Sequence, residues 1–297
     1  DGKIVCYDKL TYAGNPSNLK EIQDDYFFVR GDICDGELVE AVMNFYDIGS
    51  VVNFAAESHV DRSNEDDSVF EKTNVGGTGI LLDVALKKGV EKFVHIGTDE
   101  VYGSLNVDDL SSKETDRLNP KNPYSQTKAD ADEIALDFFA RNNFPVCITR
   151  SSNNYGSNQH PEKFIPRAIT NLIRGKKIPV YGNGQNVRDW LYVKDNCEGI
   201  FKVLKDGKSG EIYNIGGGNE FQNIDISKLI LESFGLGFDK IDFVKDRKNH
   251  DFRYSVDSSK IREDLGWNSK SDFEKGLKET IKWYQENEKW WEGLKNE

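Results

Sequence analysis

Residues 92–103 read Lys-Phe-Val-His-Ile-Gly-Thr-Asp-Glu-Val-Tyr-Gly. The first half of this stretch, Lys92 to Gly97, is a short apolar run that predicts a buried strand. Thr98, Asp99 and Glu100 follow directly, so two neighbouring carboxyl groups stand where the strand ends. The simplest interpretation is a helix start, with Thr98 as the N-cap and two acids favoured by the helix dipole.

Runs of the same kind alternate with helical patterns through the first half of the chain. Such alternation is typical of a doubly wound, Rossmann-like α/β fold whose parallel sheet is covered on both faces. Ligands of these folds bind beyond the carboxyl ends of the strands, which is where Thr98 to Glu100 stand. After about residue 150 the segments become shorter and richer in Gly and Asn, which predicts a smaller second α/β lobe. Besides 92–97, the predicted strands are 3–7, 26–30, 50–54 and 146–149, and the predicted helices are 37–46, 76–88 and 125–141.

The composition argues against several classes of protein. The 297 residues are 37% hydrophobic and carry a formal net charge of −12. We expect no nucleic-acid partner, because phosphate backbones bind dense Lys and Arg. No apolar run reaches the length of a membrane-spanning helix, and the first residues lack the pattern of a signal peptide. The four cysteines and four histidines have no metal-binding spacing, so we expect a cytoplasmic protein with reduced thiols and no metal site.

A Gly-rich phosphate loop is missing from the start of the sequence. A dinucleotide-binding fold begins with a strand, a G-x-G-x-x-G turn and a helix. Here the chain opens on a strand followed by Asp8, and no such turn occurs in the first 30 residues. An acid after a strand is expected to follow the Gly-rich unit and contact an adenosine ribose. We therefore expect the natural protein to have upstream residues; the alternative is that Asp8 simply caps a turn.

Tyr124 and Lys128 lie four residues apart at the start of a predicted helix, so they share one helix face. A positive charge near the phenol should favour the phenolate and lower the pKa of the tyrosine from about 10 toward neutrality. A phenolate can accept a proton from an alcohol while a nicotinamide takes the hydride. The alternative is a solvated Tyr and Lys on a surface helix. Tyr124 is, however, the one tyrosine among twelve that has Lys four residues on.

The Asp99–Glu100 pair points to a second kind of chemistry. Two neighbouring carboxylates repel each other, so one pKa should rise, leaving one acid and one base. Three polar or small-residue runs could line a ligand: 53–58, 151–156 and 184–193. Their alternative interpretations are, in the same order, strand-end packing, an ordinary turn and a structural Arg188–Asp189 pair. Arg247, His250 and Arg253 form a local cationic cluster in an acidic protein.

Taken together, these motifs resemble those of the dTDP-glucose 4,6-dehydratases, within the extended short-chain dehydrogenase/reductase superfamily. The resemblance covers nearly the whole chain, and the Thr98–Gly103 run is its most specific part. One departure is Lys248-Asn249, which stands where family members usually carry Pro-Gly. Matching segments also include 7–15, 31–35, 55–63, 124–128, 152–156, 161–163, 188–193 and 213–217.

The resemblance implies a role for each matching residue. Tyr124 would be the base for the sugar 4-hydroxyl, Lys128 would tune it and hold the nicotinamide ribose, and Thr98 would bond the 4-oxygen. Glu100 would remove the C5 proton, and a protonated Asp99 would help the C6 hydroxyl leave as water. NAD would be lined by Asp8, Lys9, Leu10, Thr11, Asp32, Ile33, Phe54, Ala55, Ala56, Ser58, Thr73, Tyr124, Lys128 and Asn154. The sugar nucleotide would be lined by Ser58, Thr98, Asn153, Lys163, Phe164, Pro179, Tyr181, Arg188, Asn223, Arg247 and His250.

The resemblance also implies an organisation and a reaction. Residues 1–150 and roughly 187–212 would bind NAD, and 151–186 with 213–297 would bind the sugar nucleotide. Homodimerisation would use helices near 76–88 and 125–141. The reaction would convert dTDP-glucose to dTDP-4-keto-6-deoxyglucose in rhamnose-type deoxysugar biosynthesis. The alternatives are a UDP-glucose 4,6-dehydratase, a sugar-nucleotide 4-epimerase and, from another class, a non-catalytic nucleotide-binding sensor.

Overall fold

The computed structural model describes residues 2–247 and 250–294. Its contacts divide the chain into two compact units. Unit 1 contains residues 1–102, 117–150 and 200–213, and unit 2 contains residues 103–116, 151–199 and 214–297. Each unit is formed from separate stretches of the chain, and residues 103–116 and 187–199 group with unit 2.

Unit 1 contains all five strands predicted in the first half of the chain, and the α/β class is confirmed. Strands β1 (Ile4–Asp8) and β2 (Tyr26–Arg30) form one parallel pair. Strands β3 (Ser50–Asn53), β4 (Lys92–Thr98), β5 (Val146–Ser151) and β9 (Ile212–Ile215) form a second sheet in that order. Among the described residues β1 bonds only β2, so the predicted single sheet consists here of two.

Helix α5 (Pro123–Asn142) places Tyr124 and Lys128 in its first turns. Its start is fixed by a capping box, in which the Asn122 side chain accepts from the Ser125 backbone N–H at 2.9 Å and Ser125 Oγ accepts from Asn122 N–H at 3.2 Å. Pro123 occupies a first-turn position, where a missing N–H costs nothing. The helix therefore begins two residues before the predicted boundary.

Two helical segments differ from the predicted ones. Asp99–Tyr102 is one turn of 3₁₀ helix, so the helix start predicted at Thr98 ends almost at once. The helix predicted at 76–88 is α4 (Thr78–Lys88), and it is preceded by a π-helix at Glu71–Gly77. A side chain at Gly77 would collide with Ile33, 2.5 Å away, so the helix approaches the end of β2 closely. The core of unit 1 lies between these helices and the sheet, around Leu82, Phe93 and Ile148.

Unit 2 has two small sheets and its own hydrophobic core. Strands β6 (Asn153–Tyr155), β8 (Val187–Tyr192) and β10 (Glu220–Gln222) form one sheet, in which β8 is central. Strands β7 (Ile178–Tyr181) and β11 (Ile241–Val244) form a parallel pair. The aromatic residues near the end of the chain belong to this core: Trp291 is fully buried, and Trp283 and Trp290 pack against the cluster.

No described helix is both long enough and apolar enough to cross a membrane. Within the described ranges no three His, Cys, Asp or Glu side chains are grouped as metal ligands would be. The other helices are α1 (Gly36–Phe45), α2 (Val60–Glu65), α3 (Ser68–Phe70), α6 (Phe164–Ile173), α7 (Val193–Asp206), α8 (Asn223–Ser233), α9 (Ser259–Leu265), α10 (Phe273–Glu286) and α11 (Glu288–Gly293), with 3₁₀ turns at Pro16–Ile22 and Phe238–Lys240.

Candidate active site

Thr98, Asp99 and Glu100 lie at the carboxyl end of β4, where the strand runs into the 3₁₀ turn. Thr98 Oγ1 donates to Asp99 Oδ1 at 3.3 Å and accepts from the Glu100 backbone N–H at 3.3 Å. Asp99 is 3% exposed and Thr98 is 8% exposed. The threonine thus caps the turn and at the same time fixes both acids at the strand end.

Tyr124 reaches the same strand end from α5, and its hydroxyl group is hydrogen-bonded to the Thr98 side chain. Burial and the carboxylates of Glu100 and Asp99 raise the pKa of Tyr124 above its ordinary value, and the Thr98 bond opposes this shift. The sequence-based expectation that this pKa falls toward neutrality is wrong for the structure as it stands. The phenol is protonated, with both acids beside it.

Lys128 is buried one turn further along α5, and its charge does not outweigh the burial and the carboxylates that raise the pKa of Tyr124. Its Nζ donates to the backbone carbonyl of Ile96 at 2.6 Å, two residues before Thr98. Burial lowers the pKa of Lys128 to about 8, and the carboxylate of Asp132 opposes that shift. The four-residue spacing correctly predicted that Tyr124 and Lys128 share one helix face. It could not predict where the long, flexible side chain of Lys128 ends.

A buried polar cluster that the sequence reasoning missed lies behind these residues. Asp132 is fully buried on α5, and Arg150 of β5 donates through Nε to its Oδ2 at 2.8 Å. Arg150 also donates to the Tyr102 hydroxyl at 2.9 Å. His95 of β4 is 1% exposed, and its Nε2 lies 3.6 Å from Asp132 Oδ1. One signal was available in the sequence, because Asp132 follows Lys128 by four residues and so continues the Tyr124–Lys128 stripe.

The first residues predicted to line NAD come together at the ends of β1 and β2, beside Asp8, the acid predicted to contact an adenosine ribose. Lys9 Nζ lies 2.7 Å from Asp32 Oδ2, and this partner holds the pKa of Asp32 below its usual range despite partial burial. Asp8 Oδ1 accepts from the Leu10 backbone N–H at 2.6 Å, and Leu10 has a positive φ of 54°. Asp8 therefore does cap a turn, and that turn stands beside the Lys9–Asp32 pair. Thr11 follows in the same loop, and its carbonyl accepts from Gly14 N–H at 2.8 Å.

The end of β3 is tied to the π-helix by Asn74, another residue that was not predicted. Asn74 is 1% exposed; its Oδ1 accepts from Glu57 N–H at 2.8 Å, and its Nδ2 donates to the Glu57 carbonyl and to Thr127 Oγ1, both at 3.0 Å. Asn74 thus joins the loop after β3 to α5. The predicted residues on these segments are Phe54, Ala55, Ala56 and Ser58, together with Thr73, which lies within the π-helix; Phe54 is 60% exposed. Ile33, also predicted, follows β2 and packs against Gly77 of the π-helix.

In unit 2, Arg247 and His250 of the predicted cationic cluster lie around Tyr181, whereas Arg253 pairs with Glu220, 2.5 Å from its Nε. The Arg247 guanidinium stacks 4.3 Å from the Tyr181 ring centroid, and His250 meets the same ring edge-on at 6.2 Å. Burial and the charges of Arg188 and Arg247 lower the pKa of His250, although Asp246, 2.6 Å from its Nδ1, opposes the shift. Lys248 and Asn249, the departure from the family pattern, lie outside the described residues.

Arg188 does not pair with Asp189, its neighbour on β8. Arg188 stacks 4.5 Å from the Tyr254 ring centroid and donates to the Asp251 carbonyl at 3.0 Å. Asp189 instead accepts from the backbone N–H groups of Gly217 and Asn219. The two side chains diverge because successive residues of a strand point to opposite faces. Of the two interpretations of the Arg188-Asp189 sequence, the structural ion pair is wrong.

The other predicted residues of unit 2 begin or border its strands and helices. Asn153 and Asn154 lie on β6, and the described residues offer no hydrogen-bond partner to their buried Oδ1 atoms. Such buried acceptors are unusual and suit a polar ligand. Lys163 precedes α6, Phe164 begins it and packs against Trp190, Pro179 lies on β7, and Asn223 begins α8.

Unit 1 therefore brings together a phenol, two carboxyl groups and a buried ammonium group at one strand end, and unit 2 gathers cations and unsatisfied amide oxygens. The first group can move protons at an alcohol and at neighbouring carbons, and the second can bind an anion. Sequence comparison matches residues 2–280 to the protein family described as GDP-mannose 4,6 dehydratase.

The chain belongs to this family. It is 48% identical to the dTDP-glucose 4,6-dehydratase of Streptomyces antibioticus, over 98% of the chain and 86% of that protein. The crystal structure of the dTDP-glucose 4,6-dehydratase DesIV from Streptomyces venezuelae, solved with NAD bound, matches with a TM-score of 0.96 and 45% identity, covering 98% of this chain and 90% of that one.

The dTDP-glucose 4,6-dehydratase of Bacillus anthracis, in complex with NAD, matches with a TM-score of 0.92 and 46% identity, covering 98% and 91% of the two chains. These comparisons confirm the resemblance to dTDP-glucose 4,6-dehydratases, which the Thr98–Gly103 motif had indicated most specifically.

Proposed function

We propose that this protein is an NAD-dependent dTDP-glucose 4,6-dehydratase, a hydro-lyase that forms dTDP-4-keto-6-deoxyglucose for rhamnose-type deoxysugar biosynthesis. The proposal rests on one observation. Thr98, Asp99, Glu100 and Tyr124 meet at the end of β4, in a chain 46–48% identical to dTDP-glucose 4,6-dehydratases over nearly its whole length. An enzyme that only oxidises an alcohol has no use for the two acids beside the phenol.

The residues present fit NAD. The turn after β1 presents the Lys9–Asp32 pair and Asp8, which suit a ribose, and Tyr124 and Lys128 stand at the end of β4. The buried Oδ1 of Asn154 has no hydrogen-bond partner among the described residues, and the family resemblance assigns Asn154 to NAD. When bound, NAD accepts a hydride from C4 of the sugar and returns it to C6. We assign residues 1–150 and roughly 187–212 to NAD binding.

Tyr124 and Thr98 act on the 4-hydroxyl group of the sugar. Tyr124, in its phenolate form, accepts the hydroxyl proton as C4 is oxidised, and the Thr98 hydroxyl holds the 4-oxygen. Because burial and the two carboxylates raise the pKa of Tyr124, the phenol must lose its own proton before this step, and the phenolate that remains is a strong base. The positive charge of Lys128 is held on the same helix face, one turn away.

Glu100 and Asp99 carry out the elimination. The 4-ketone acidifies the proton on C5, so a carboxylate of modest basicity can remove it, and we assign this step to Glu100. The C6 hydroxyl takes a proton from Asp99 and leaves as water. Afterwards C5 is reprotonated and C6 is reduced, so that one molecule of water is lost per turnover and no net oxidation occurs.

Unit 2 supplies the cations for the nucleotide. Burial lowers the pKa of His250, the charges of Arg188 and Arg247 lower it further, and a pyrophosphate would offset the part due to these charges. We assign 151–186 and 213–297 to sugar-nucleotide binding. The substrate-binding set is Ser58, Thr98, Asn153, Lys163, Phe164, Pro179, Tyr181, Arg188, Asn223, Arg247 and His250. We also propose a cytoplasmic homodimer that uses α4 and α5.

Mass spectrometry of the product tests this function. Full-length protein is incubated with NAD and either dTDP-glucose or UDP-glucose. A dTDP-glucose 4,6-dehydratase lowers the mass of dTDP-glucose by one water and turns over UDP-glucose at least tenfold more slowly. An unchanged mass with an altered C4 configuration would establish a 4-epimerase, and binding of the nucleotide without turnover would establish a sensor.

A further inference from the structure

The buried Asp132–Arg150 pair lies directly behind the proposed catalytic residues of unit 1. Asp132 is fully buried and Arg150 is 2% exposed. Two opposite charges in such surroundings are costly to bury, and a fold that keeps them gains little stability over an apolar pair of the same size. A role in the nearby chemistry would explain why this part of the core is ionic.

Three consecutive residues of β4 connect the pair to Lys128. His95 Nε2 lies 3.6 Å from Asp132 Oδ1, and the Ile96 carbonyl accepts the Lys128 ammonium at 2.6 Å. A Cβ atom added at Gly97 would lie 3.1 Å from Asp132 Oδ1, so the carboxylate packs against the strand backbone. The strand thus holds both the carboxylate and the ammonium group in place.

The ionisable groups around Asp132 and Lys128 alter one another's pKa values. The Asp132 carboxylate raises the pKa of Lys128 against the effect of burial, and it also acts on Tyr124. Burial, together with the charges of Lys128 and Arg150, lowers the pKa of His95 well below its usual range, so this ring is neutral. The ionisable groups that act on one another here are Asp132, Tyr124 and Lys128 of α5, His95 of β4, Asp99 and Glu100 of the 3₁₀ turn, and Arg150 of β5 with Tyr102.

We propose that Asp132, held in place by Arg150, is a positioning residue that keeps Lys128 protonated at the Ile96 carbonyl over the working pH range of the enzyme. The proposal deepens the function proposed above and rests on it only for its consequence in catalysis. Asp132 itself contacts neither substrate nor cofactor in this role. It acts through Lys128, whose charge in turn favours the Tyr124 phenolate.

The pKa of Lys128 can be measured without any turnover. Protein labelled with ¹³C at the lysine ε-carbon is titrated by NMR, and the Lys128 signal is assigned by its loss in Lys128→Met. In Asp132→Asn the midpoint of Lys128 should fall by about 1 pH unit or more, because the negative charge that raises the pKa of Lys128 is removed. Asp137→Asn is the matched control, since Asp137 lies on the same helix but its side chain is 45% exposed and paired with Arg141. An unchanged midpoint in Asp132→Asn would overturn the proposal.

Asp132→Asn leaves Arg150 buried without its carboxylate and could fail to fold. The double variant Asp132→Asn/Arg150→Met removes both charges and should lower the Lys128 midpoint in the same direction. If neither variant folds, the pair is a structural element and the proposal falls. In the folded variant, the alkaline limb of kcat/KM should move to lower pH with little change in KM. Absence of turnover in the unaltered protein would instead contradict the proposed function, while the NMR result would still decide the role of Asp132.

Discussion

Replacing Lys128 with methionine should make the stability of this protein less dependent on pH. The folded protein lowers the pKa of Lys128 from 10.5 to about 8 because the side chain is 3% exposed. Below pH 8 the ammonium group is protonated in both states, and burying it costs free energy. As the pH rises toward 10.5 the folded state has lost the proton and the unfolded chain still holds it, so the free energy of unfolding increases.

The size of this effect follows from the displacement of the pKa. At about 1.4 kcal/mol per pKa unit, a displacement of roughly 2.5 units corresponds to about 3 kcal/mol over the whole interval. Most of it, about 2.5 kcal/mol, is gained between pH 7 and pH 10. The methionine variant has no ionisable group at this position, so it lacks this gain.

Urea unfolding followed by tryptophan fluorescence measures the effect. The difference in the free energy of unfolding, unaltered protein minus Lys128→Met, should rise by about 2–3 kcal/mol from pH 7 to pH 10. Lys202→Met removes an exposed lysine and controls for the loss of one positive charge. A difference that stays constant across this pH range would refute the claim that a buried ammonium group titrates near pH 8.

Three further variants test other parts of the account. Glu100→Gln should prevent deuterium from solvent from entering C5 while still permitting oxidation at C4; normal uptake measured by NMR would exclude Glu100 as the base. Asp99→Asn should slow loss of water more than C5 exchange in the same assay, and equal slowing of both would count against its role as the acid. Asn74→Ala removes three hydrogen bonds from a buried side chain that joins Glu57 to Thr127, and should lower the free energy of unfolding by about 1–3 kcal/mol. A change below about 0.5 kcal/mol in urea unfolding would show that these bonds contribute little.

The strands of unit 1 could be predicted because each is a short apolar run bounded by polar residues. Val146–Ser151 is buried at every position, and such strands stand out without any knowledge of their partners. The strand pairing of unit 2 could not be predicted in the same way. Strand β8 bonds both β6 and β10, and these pairings join residues that lie more than 30 positions apart in the sequence. Nor does any local pattern distinguish the π-helix at Glu71–Gly77 from an ordinary helical turn.

Those residues of the candidate site could be predicted whose side-chain type and position in a motif are enough to indicate a chemical role. Thr98, Asp99, Glu100 and Tyr124 were found from a motif and a helical spacing, and the structure places them together. The neighbourhood of these residues could not be found from the sequence. Asp132 and Arg150 meet only because α5 packs against the sheet, and the pKa of Tyr124 depends on its burial beside Glu100 and Asp99.

The central claim is that one active site oxidises C4, eliminates water across C5 and C6, and reduces C6. Turnover of dTDP-glucose carrying deuterium at C4 tests this claim directly, with the label located in the product by NMR. We predict a 4-keto-6-deoxy product in which the deuterium has moved to C6. Deuterium that remains at C4 of a sugar with its 6-hydroxyl intact would contradict the account.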